Sequence, residues 1–345
     1  MIKADSIIRV LLVDDSRLVR DMIRAILESD PGIVVAGEAS NGVEAIAMVA
    51  SLKPDIMTMD IEMPVMGGLE AIEKIIAGHP VPILVVTALA GVRTAFAAIS
   101  KGALDVIEKP DTSLESVQNF IGKIRYLAKV DVTAHLQTMR RQNGTAAVGC
   151  AAIQKVFLKG GIVAIAASTG GPQAINTILP HLPAAFPFPV VITQHIADGF
   201  TQGMVDWLNG GTALNVVIAG NGDRLLPGHV YVNPAEHSMR ISPQGVIILC
   251  DRDAGQIYHP SCDTLLTSVA AAYRKGAIGL IMSGMGDDGV AGMQAIRMAG
   301  GVTLAQDAKS SVVFGMNKIA VDRGYIQKVV PLADIPAELR HRAGA

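Results

Sequence analysis

Apolar and polar positions over the first 130 residues or so follow one repeated pattern. The runs IIRVLLV, IVVAGEA, DIMTMDI, VPILVVT and LDVIEK are short and nearly continuous, which predicts five buried strands. Between them, Arg17–Glu28, Val43–Ser51, Leu69–Ala77 and Val92–Ser100 space their apolar residues at helical intervals. A fifth helix is expected over Leu114–Leu127. Strand and helix alternating five times predict a parallel sheet covered on both faces. The pattern then fades. The stretch AKVDVTAHLQTMRRQNGTAAVGCAAIQ has no clear period and ends in small residues, so it reads as a partly helical linker.

Alternation resumes at Gly161. GIVAIAAS, FPVVITQH, LNVVIAG and AIGLIMSG predict further buried strands, and shorter pieces between Val230 and Cys250, split by SPQG, predict a hairpin. Cys262–Tyr273 and Val290–Met298 read as helices. The second half is thus a second α/β unit, with sites expected at the carboxyl ends of its strands. No internal repeat is present.

Composition narrows the function classes. A chain of 345 residues exceeds one ordinary core, so two domains are expected. Half the residues are apolar and 17% are charged, which excludes a largely disordered chain. A net charge of −2 leaves no electrostatic footprint for nucleic acid. Cys150, Cys250 and Cys262 are odd in number and lack zinc-motif spacing, as expected of reduced thiols in a cytoplasmic protein. Arg9 interrupts the first apolar stretch and Asp14–Asp15 follow it, unlike a signal peptide. No apolar run approaches the roughly 18 residues of a membrane span, so no membrane insertion is expected.

In the first half, Asp14 and Asp15 follow the first strand, while Asp60, Thr87 and Lys109 end the third, fourth and fifth. In a parallel sheet these residues share one edge. Three carboxylates crowded there repel by a few kcal/mol at intermediate dielectric. A hard divalent cation would offset that, and Mg²⁺ suits oxygen ligands. The blander alternative, Asp14 and Asp15 as helix caps, leaves Asp60, Thr87 and Lys109 unexplained.

LLVDDS, DIMTMDIEMPVMGG, VVTA and EKP resemble a response-regulator receiver domain. The resemblance implies that Asp60 accepts a phosphoryl group from a histidine kinase. It implies that Asp14, Asp15 and Asp60, with the main-chain carbonyl of Glu62, hold Mg²⁺. The Thr87 hydroxyl and Lys109 ammonium would bind the phosphoryl oxygens, with small Ala88 leaving room. Charge on a transferring phosphoryl group is met by metal and lysine in this chemistry. One departure is Val106, where receivers usually carry an aromatic switch residue.

In the second half, IVAIAASTGGP delivers Ser168 to a strand end and then turns on two glycines. Ser168 is either a cap or a nucleophile, and AASTG approaches the G-x-S-x-G elbow without its first glycine. A serine nucleophile needs a base, and the base needs an orienting carboxylate. Among His181, His195, His229, His237, His259 and His341, His195 ends the strand VVITQH at the same kind of edge; His237 and His259 stay open. Asp287 and Asp288 lie in the glycine-rich turn after AIGLIMSG, either as cap or as carboxylate.

ASTGGP, QH, GDRLLPGHVYV, HPSCDTLL, SGMGDDG and AQDAKSSVVFGM, following a receiver and a linker, resemble the chemotaxis protein-glutamate methylesterases of the CheB family. The resemblance implies a receiver at 5–125, a linker at 126–156 and a catalytic domain at 157–345. The first would be a flavodoxin-like (βα)₅ fold, the last a doubly wound, Rossmann-like α/β sheet with a small hairpin region. Ser168, His195 and Asp288 would be catalytic, and the main-chain N–H of Met285 an oxyanion donor. The implied activity is phosphorylation-activated hydrolysis of glutamyl methyl esters on methyl-accepting chemotaxis receptors. Methanol would leave through an acyl-enzyme, receptor glutamines would be deamidated at the same site, and this half would need no cofactor. The implied partners are those receptors and a chemotaxis histidine kinase, and the receiver would restrain the esterase until phosphorylated. Departures from the family pattern are Ile196–Ala197 in place of Met-Pro, Asn317 in place of Pro after Gly315–Met316, and Cys262 in place of an aliphatic residue. A non-catalytic, phospho-regulated receptor-binding protein is the alternative reading. A metabolic hydrolase fused to a receiver is disfavoured by the incomplete elbow and the order Ser–His–Asp.

Overall fold

The computed structural model describes residues 7–88, 91–133, 160–252 and 258–345, apart from the side chain of Arg93. The chain divides into two compact units, 1–137 and 138–345. The greater part of the expected linker, and Cys150 with it, lies outside the described residues.

In the first unit the elements run β1 (Ile8–Val13), α1 (Arg17–Glu28), β2 (Ile33–Ala39), α2 (Gly42–Leu52), β3 (Ile56–Met59), α3 (Gly68–Gly78), β4 (Ile83–Thr87), α4 (Val92–Ser100), β5 (Asp105–Glu108) and α5 (Leu114–Leu127). The strands form one parallel sheet in the order β2-β1-β3-β4-β5. β3 and β4 are buried along their whole length, as central strands covered on both faces must be. The cap of α1 is Ser16, whose Oγ accepts from Val19 N at 3.5 Å. Asp14 and Asp15 are therefore not that cap. The strand order reverses between β1 and β3, which places a crevice at their carboxyl ends.

In the second unit the elements run β6 (Ile162–Ala167), α6 (Gly171–Ile178), β7 (Val190–Gln194), α7 (Thr201–Asn209), β8 (Asn215–Ile218), β9 (His229–Val232), β10 (Ser238–Ile241), β11 (Ile247–Cys250), α8 (Cys262–Tyr273), β12 (Ala277–Ile281), α9 (Val290–Met298), β13 (Val302–Gln306), α10 (Met316–Asp322), β14 (Lys328–Val330) and α11 (Ile335–Ala343). Seven strands form a parallel sheet in the order β14-β13-β12-β6-β7-β9-β8. β10 and β11 pair as the expected antiparallel hairpin around the Ser242–Gly245 turn. β6 lies between β12 and β7, all three fully buried. The strands stop short of their apolar runs. Ser168, His195 and Met282–Gly284 belong to the loops beyond β6, β7 and β12 rather than to the strands. Among the described residues no helix is long and apolar enough to cross a membrane.

Candidate functional sites

The crevice of the first unit gathers the predicted acidic residues. Asp14, Asp15 and Asp60 bring carboxylate oxygens within 4.8 Å of one another, with Asp14 and Asp60 buried and Asp15 exposed. Lys109, just past β5, bridges the two buried carboxylates, its Nζ 2.7 Å from Asp14 Oδ2 and 2.8 Å from Asp60 Oδ2. Asp60 Oδ1 accepts from Ile61 N at 2.7 Å, and Asp14 Oδ1 from Ser16 N at 2.9 Å. One ammonium thus serves two carboxylates. Burial pushes the Asp14 carboxyl above its ordinary range; Lys109 and the Ser16 amide oppose that, and the neighbouring Asp60 charge adds to it. Burial works against the Lys109 charge, but hydrogen bonds and charge from Asp14 and Asp60 outweigh it and raise its pKa. Thr87 is buried at the end of β4, where its Oγ1 donates weakly to Ala88 O at 3.4 Å. Glu62 is exposed in the loop after Asp60, and Val106 is buried in β5.

In the second unit the ends of β12, β6 and β7 meet. The Ser168 amide donates to Ser283 O, beyond β12, and the His195 amide to Ala167 O, both at 3.0 Å. Gln194 ties the same ends together, its Nε2 donating to Ser168 O and His195 O at 2.9 Å each. The turn after Ser168 uses Gly170 at φ 77°, where a side chain would also strike Val312 and Ser283. His195 Nε2 lies 2.8 Å from Asp288 Oδ2, and the imidazole stacks on Tyr258 with centroids 5.3 Å apart.

Asp288 is 6% exposed. It accepts from Cys262 N at 2.6 Å, Asp263 N at 2.9 Å and Ser261 Oγ at 3.3 Å. Burial alone would raise its pKa. The His195 hydrogen bond and charge, together with the two amides, overcome that and hold the carboxyl below its ordinary value. Asp287 is exposed and takes no part. Cys262 Sγ is 3.5 Å from His195 Nε2, and burial pushes the thiol well up, so it stays protonated.

No hydrogen bond joins Ser168 Oγ to His195 among the described residues. No carbonyl there accepts from Met285 N–H, which leaves that donor available. The other histidines stand apart: His181 Nδ1 meets Thr177 O, His229 Nδ1 meets Pro227 O, and exposed His237 lies 3.9 Å from Asp251. His259 has a buried Nδ1 with no partner. Asn317, one departure from the family pattern, is buried in α10 and donates to Gln306 O and Ser311 Oγ. Sequence reasoning missed Gln194, Tyr258 and the amides that hold Asp288. The QH motif, Gln194–His195, was the one signal available for Gln194.

A receiver-like unit followed by an α/β unit with a strand-end Ser, His and Asp defines a class of phospho-regulated hydrolase. Comparison with known proteins gives the family. The response regulator receiver domain matches residues 10–119, and CheB methylesterase matches 163–339. The chain is 48% identical to protein-glutamate methylesterase/protein-glutamine glutaminase 3 of Paramagnetospirillum magneticum, over 98% of this chain and 97% of that one. It is 40% identical to protein-glutamate methylesterase/protein-glutamine glutaminase 2 of Anaeromyxobacter dehalogenans, over 97% of each. The crystal structure of the Thermotoga maritima CheB methylesterase catalytic domain superposes with a TM-score of 0.51 at 36% identity, covering 53% of this chain and 98% of that one. The chain belongs to the CheB methylesterase family and carries a receiver domain at its N-terminal end.

Proposed function

We propose that this chain is a phosphorylation-activated protein-glutamate methylesterase that removes methyl groups from glutamyl esters of methyl-accepting chemotaxis receptors and deamidates receptor glutamines. The observation that carries this reading is the buried His195–Asp288 pair, 2.8 Å apart, at the strand end beside that of Ser168.

Ser168 Oγ attacks the ester carbonyl carbon. His195 takes the serine proton and returns it to the departing methoxide, so that methanol leaves an acyl-Ser168. Water activated by His195 then frees glutamate. Asp288 engages Nε2, so Nδ1 is the nitrogen left to act as base, and Asp288 fixes that tautomer. The Ser168–His195 hydrogen bond closes in the substrate complex, as catalytic hydrogen bonds often do. Met285 N–H is the donor assigned to the oxyanion. These residues need no cofactor.

The receiver's donor set fits Mg²⁺: three hard carboxylates with two buried charges and one shared lysine. Asp14, Asp15, Asp60 and the Glu62 carbonyl would hold it, and it would neutralise charge on the transferring phosphoryl group. Asp60 accepts that group from a histidine kinase. Lys109 exchanges a carboxylate contact for a phosphoryl oxygen, and Thr87 turns its hydroxyl to another. We assign the receiver to 5–125 and the esterase to 157–345. A cytoplasmic location is consistent with the free thiols Cys250 and Cys262.

The test is methanol release from methyl-labelled receptor membranes. Ser168→Ala is expected to lower the rate by roughly 10⁴-fold or more with folding intact. A near-normal rate from folded Ser168→Ala would reject the nucleophile, and no methanol release from the wild-type chain would favour a non-catalytic receptor-binding protein.

A further inference from the structure

Two helix N-termini meet behind the His195–Asp288 pair, and each is held by a carboxylate from the other segment. Asp288, in the loop before α9, accepts from the first two amides of α8, those of Cys262 and Asp263. Asp263, the second residue of α8, accepts in return at a single oxygen. Its Oδ1 takes Gly289 N at 2.9 Å and Gly292 N at 2.6 Å. Gly289 is the N-cap of α9 and has no side chain to offer, so the cap of α9 comes from Asp263. α8 does not depend on this, because Ser261 Oγ already accepts from Thr264 N.

Gly289 N belongs to the peptide that leaves Asp288. The Asp263 bond therefore fixes that peptide plane and, through it, the direction in which the Asp288 side chain departs. The packing is built for this contact. A Cβ on Gly292 would lie 2.4 Å from Leu266 Cβ and 3.3 Å from Asp263 Oδ1, so a larger residue would push α9 off α8. Burial and the nearby Asp288 charge also make a carboxylate at 263 unfavourable, raising its pKa against the two glycine amides.

We infer that Asp263 is a positioning residue for ester hydrolysis, its Oδ1 fixing the Asp288–Gly289 peptide and so the carboxylate that orients His195. The inference rests on the assignment of His195 and Asp288 given above. The experiment measures kcat and KM for methanol release by the full-length chain, at a temperature where thermal unfolding shows each variant folded. Asp263→Ala is expected to lower kcat about 10- to 100-fold, with KM changed less than about twofold, the scale of a misplaced catalytic group. Asp263→Asn should recover most of that kcat, because both bonds converge on one oxygen that an amide retains. Asp263→Glu, which keeps the charge but displaces it by a methylene, should remain low. The Asn and Glu variants decide the matter even where the Ala variant does not fold. An unchanged kcat in folded Asp263→Ala, or Asp263→Glu exceeding Asp263→Asn, overturns the proposal. A wild-type rate in Asp288→Asn would instead reject the underlying assignment.

Discussion

The two sheet edges of this chain offer the same architecture with opposite electrostatics. Each is the carboxyl edge of a parallel sheet at a reversal of strand order, and each buries an aspartate there. Burial pushes both Asp14 and Asp288 upward, yet the first ends above its ordinary pKa and the second below it. The difference lies in donors. Asp14 has one amide and a lysine it must share with Asp60. Asp288 has two amides, a hydroxyl and an imidazole that faces no second carboxylate in the bonds it makes. An under-compensated edge suits a site that takes up a cation and a phosphoryl group and rearranges when they leave. A fully compensated edge suits a site that must hold one geometry through a turnover. The difference follows from how many donors the loops supply to each aspartate, and the sheet supplies only the meeting place.

The sharpest way to break this comparison is at Asp288. Asp288→Asn keeps the side-chain volume and one acceptor but removes the charge beside His195, and it is expected to cut kcat by about 10²- to 10⁴-fold. Asp287→Asn, one residue away and exposed, should stay within roughly twofold, as surface changes do. Steady-state methanol release decides it, and equal losses at both positions would mean that the compensated edge is not what matters.

At the other edge, Asp60→Asn should leave the full-length chain at its unphosphorylated rate when a phosphodonor is added. Asp15→Ala tests the cation. Losing one exposed charge beside a dication costs about 1–2 kcal/mol near water dielectric, which raises the Mg²⁺ needed for half-maximal phosphorylation roughly tenfold. Titrating phosphorylation against Mg²⁺ reads that shift directly. An unmoved midpoint would remove Asp15 from the ligand set and leave the edge better compensated than its geometry suggests.

The strands were legible where burial on both faces makes them continuously apolar. β13 and β14 were not. β13 carries Thr303 and Gln306 into the core, where Gln306 serves Ser283 N and Ser310 O. β14 is a three-residue edge strand with two exposed positions. Ser168, His195 and the Asp287–Asp288 pair could be found because a parallel sheet gathers its carboxyl ends. Spacing alone could not choose between the two aspartates. That choice turns on which of them meets the amides of a helix far along the chain. Backbone donors carry no residue signature, which is why the amides of Cys262 and Asp263, and the return bonds from Gly289 and Gly292, could not be read in advance. Lys109 was legible as a strand-end lysine, but its bridge between Asp14 and Asp60 needed the register of three strands.

A third aspartate forms an ion pair that belongs to neither cluster. Asp30 precedes β2, at the amino edge of the receiver sheet, and meets the Arg125 guanidinium of α5 with two contacts, at 2.5 and 2.7 Å. The hydrogen bond from Arg125 holds its carboxyl below the ordinary range against a small burial effect, and the Gly32 amide adds to the lowering. A lowered folded pKa means the contribution is fully present above the unfolded value, about 3.9, and is lost as pH falls through the folded one. Arg125 is 42% exposed, so solvent screens the pair. Asp30→Asn is therefore expected to cost about 0.5–1 kcal/mol at neutral pH. The variant keeps an acceptor for Gly32 N, so the loss reports the ion pair. Amide exchange in β2 and α5 measures it without relying on a single melting transition from a chain of two units. The difference from wild type should shrink in about 1 M salt, begin to fall below about pH 4 and close once the pH is below the folded value. A difference that persists in acid and in salt would show that Asp30 acts through its turn geometry. Esterase activity at neutral pH should match wild type, because neither Asp30 nor Arg125 belongs to the Asp14–Asp15–Asp60 or the His195–Asp288 cluster.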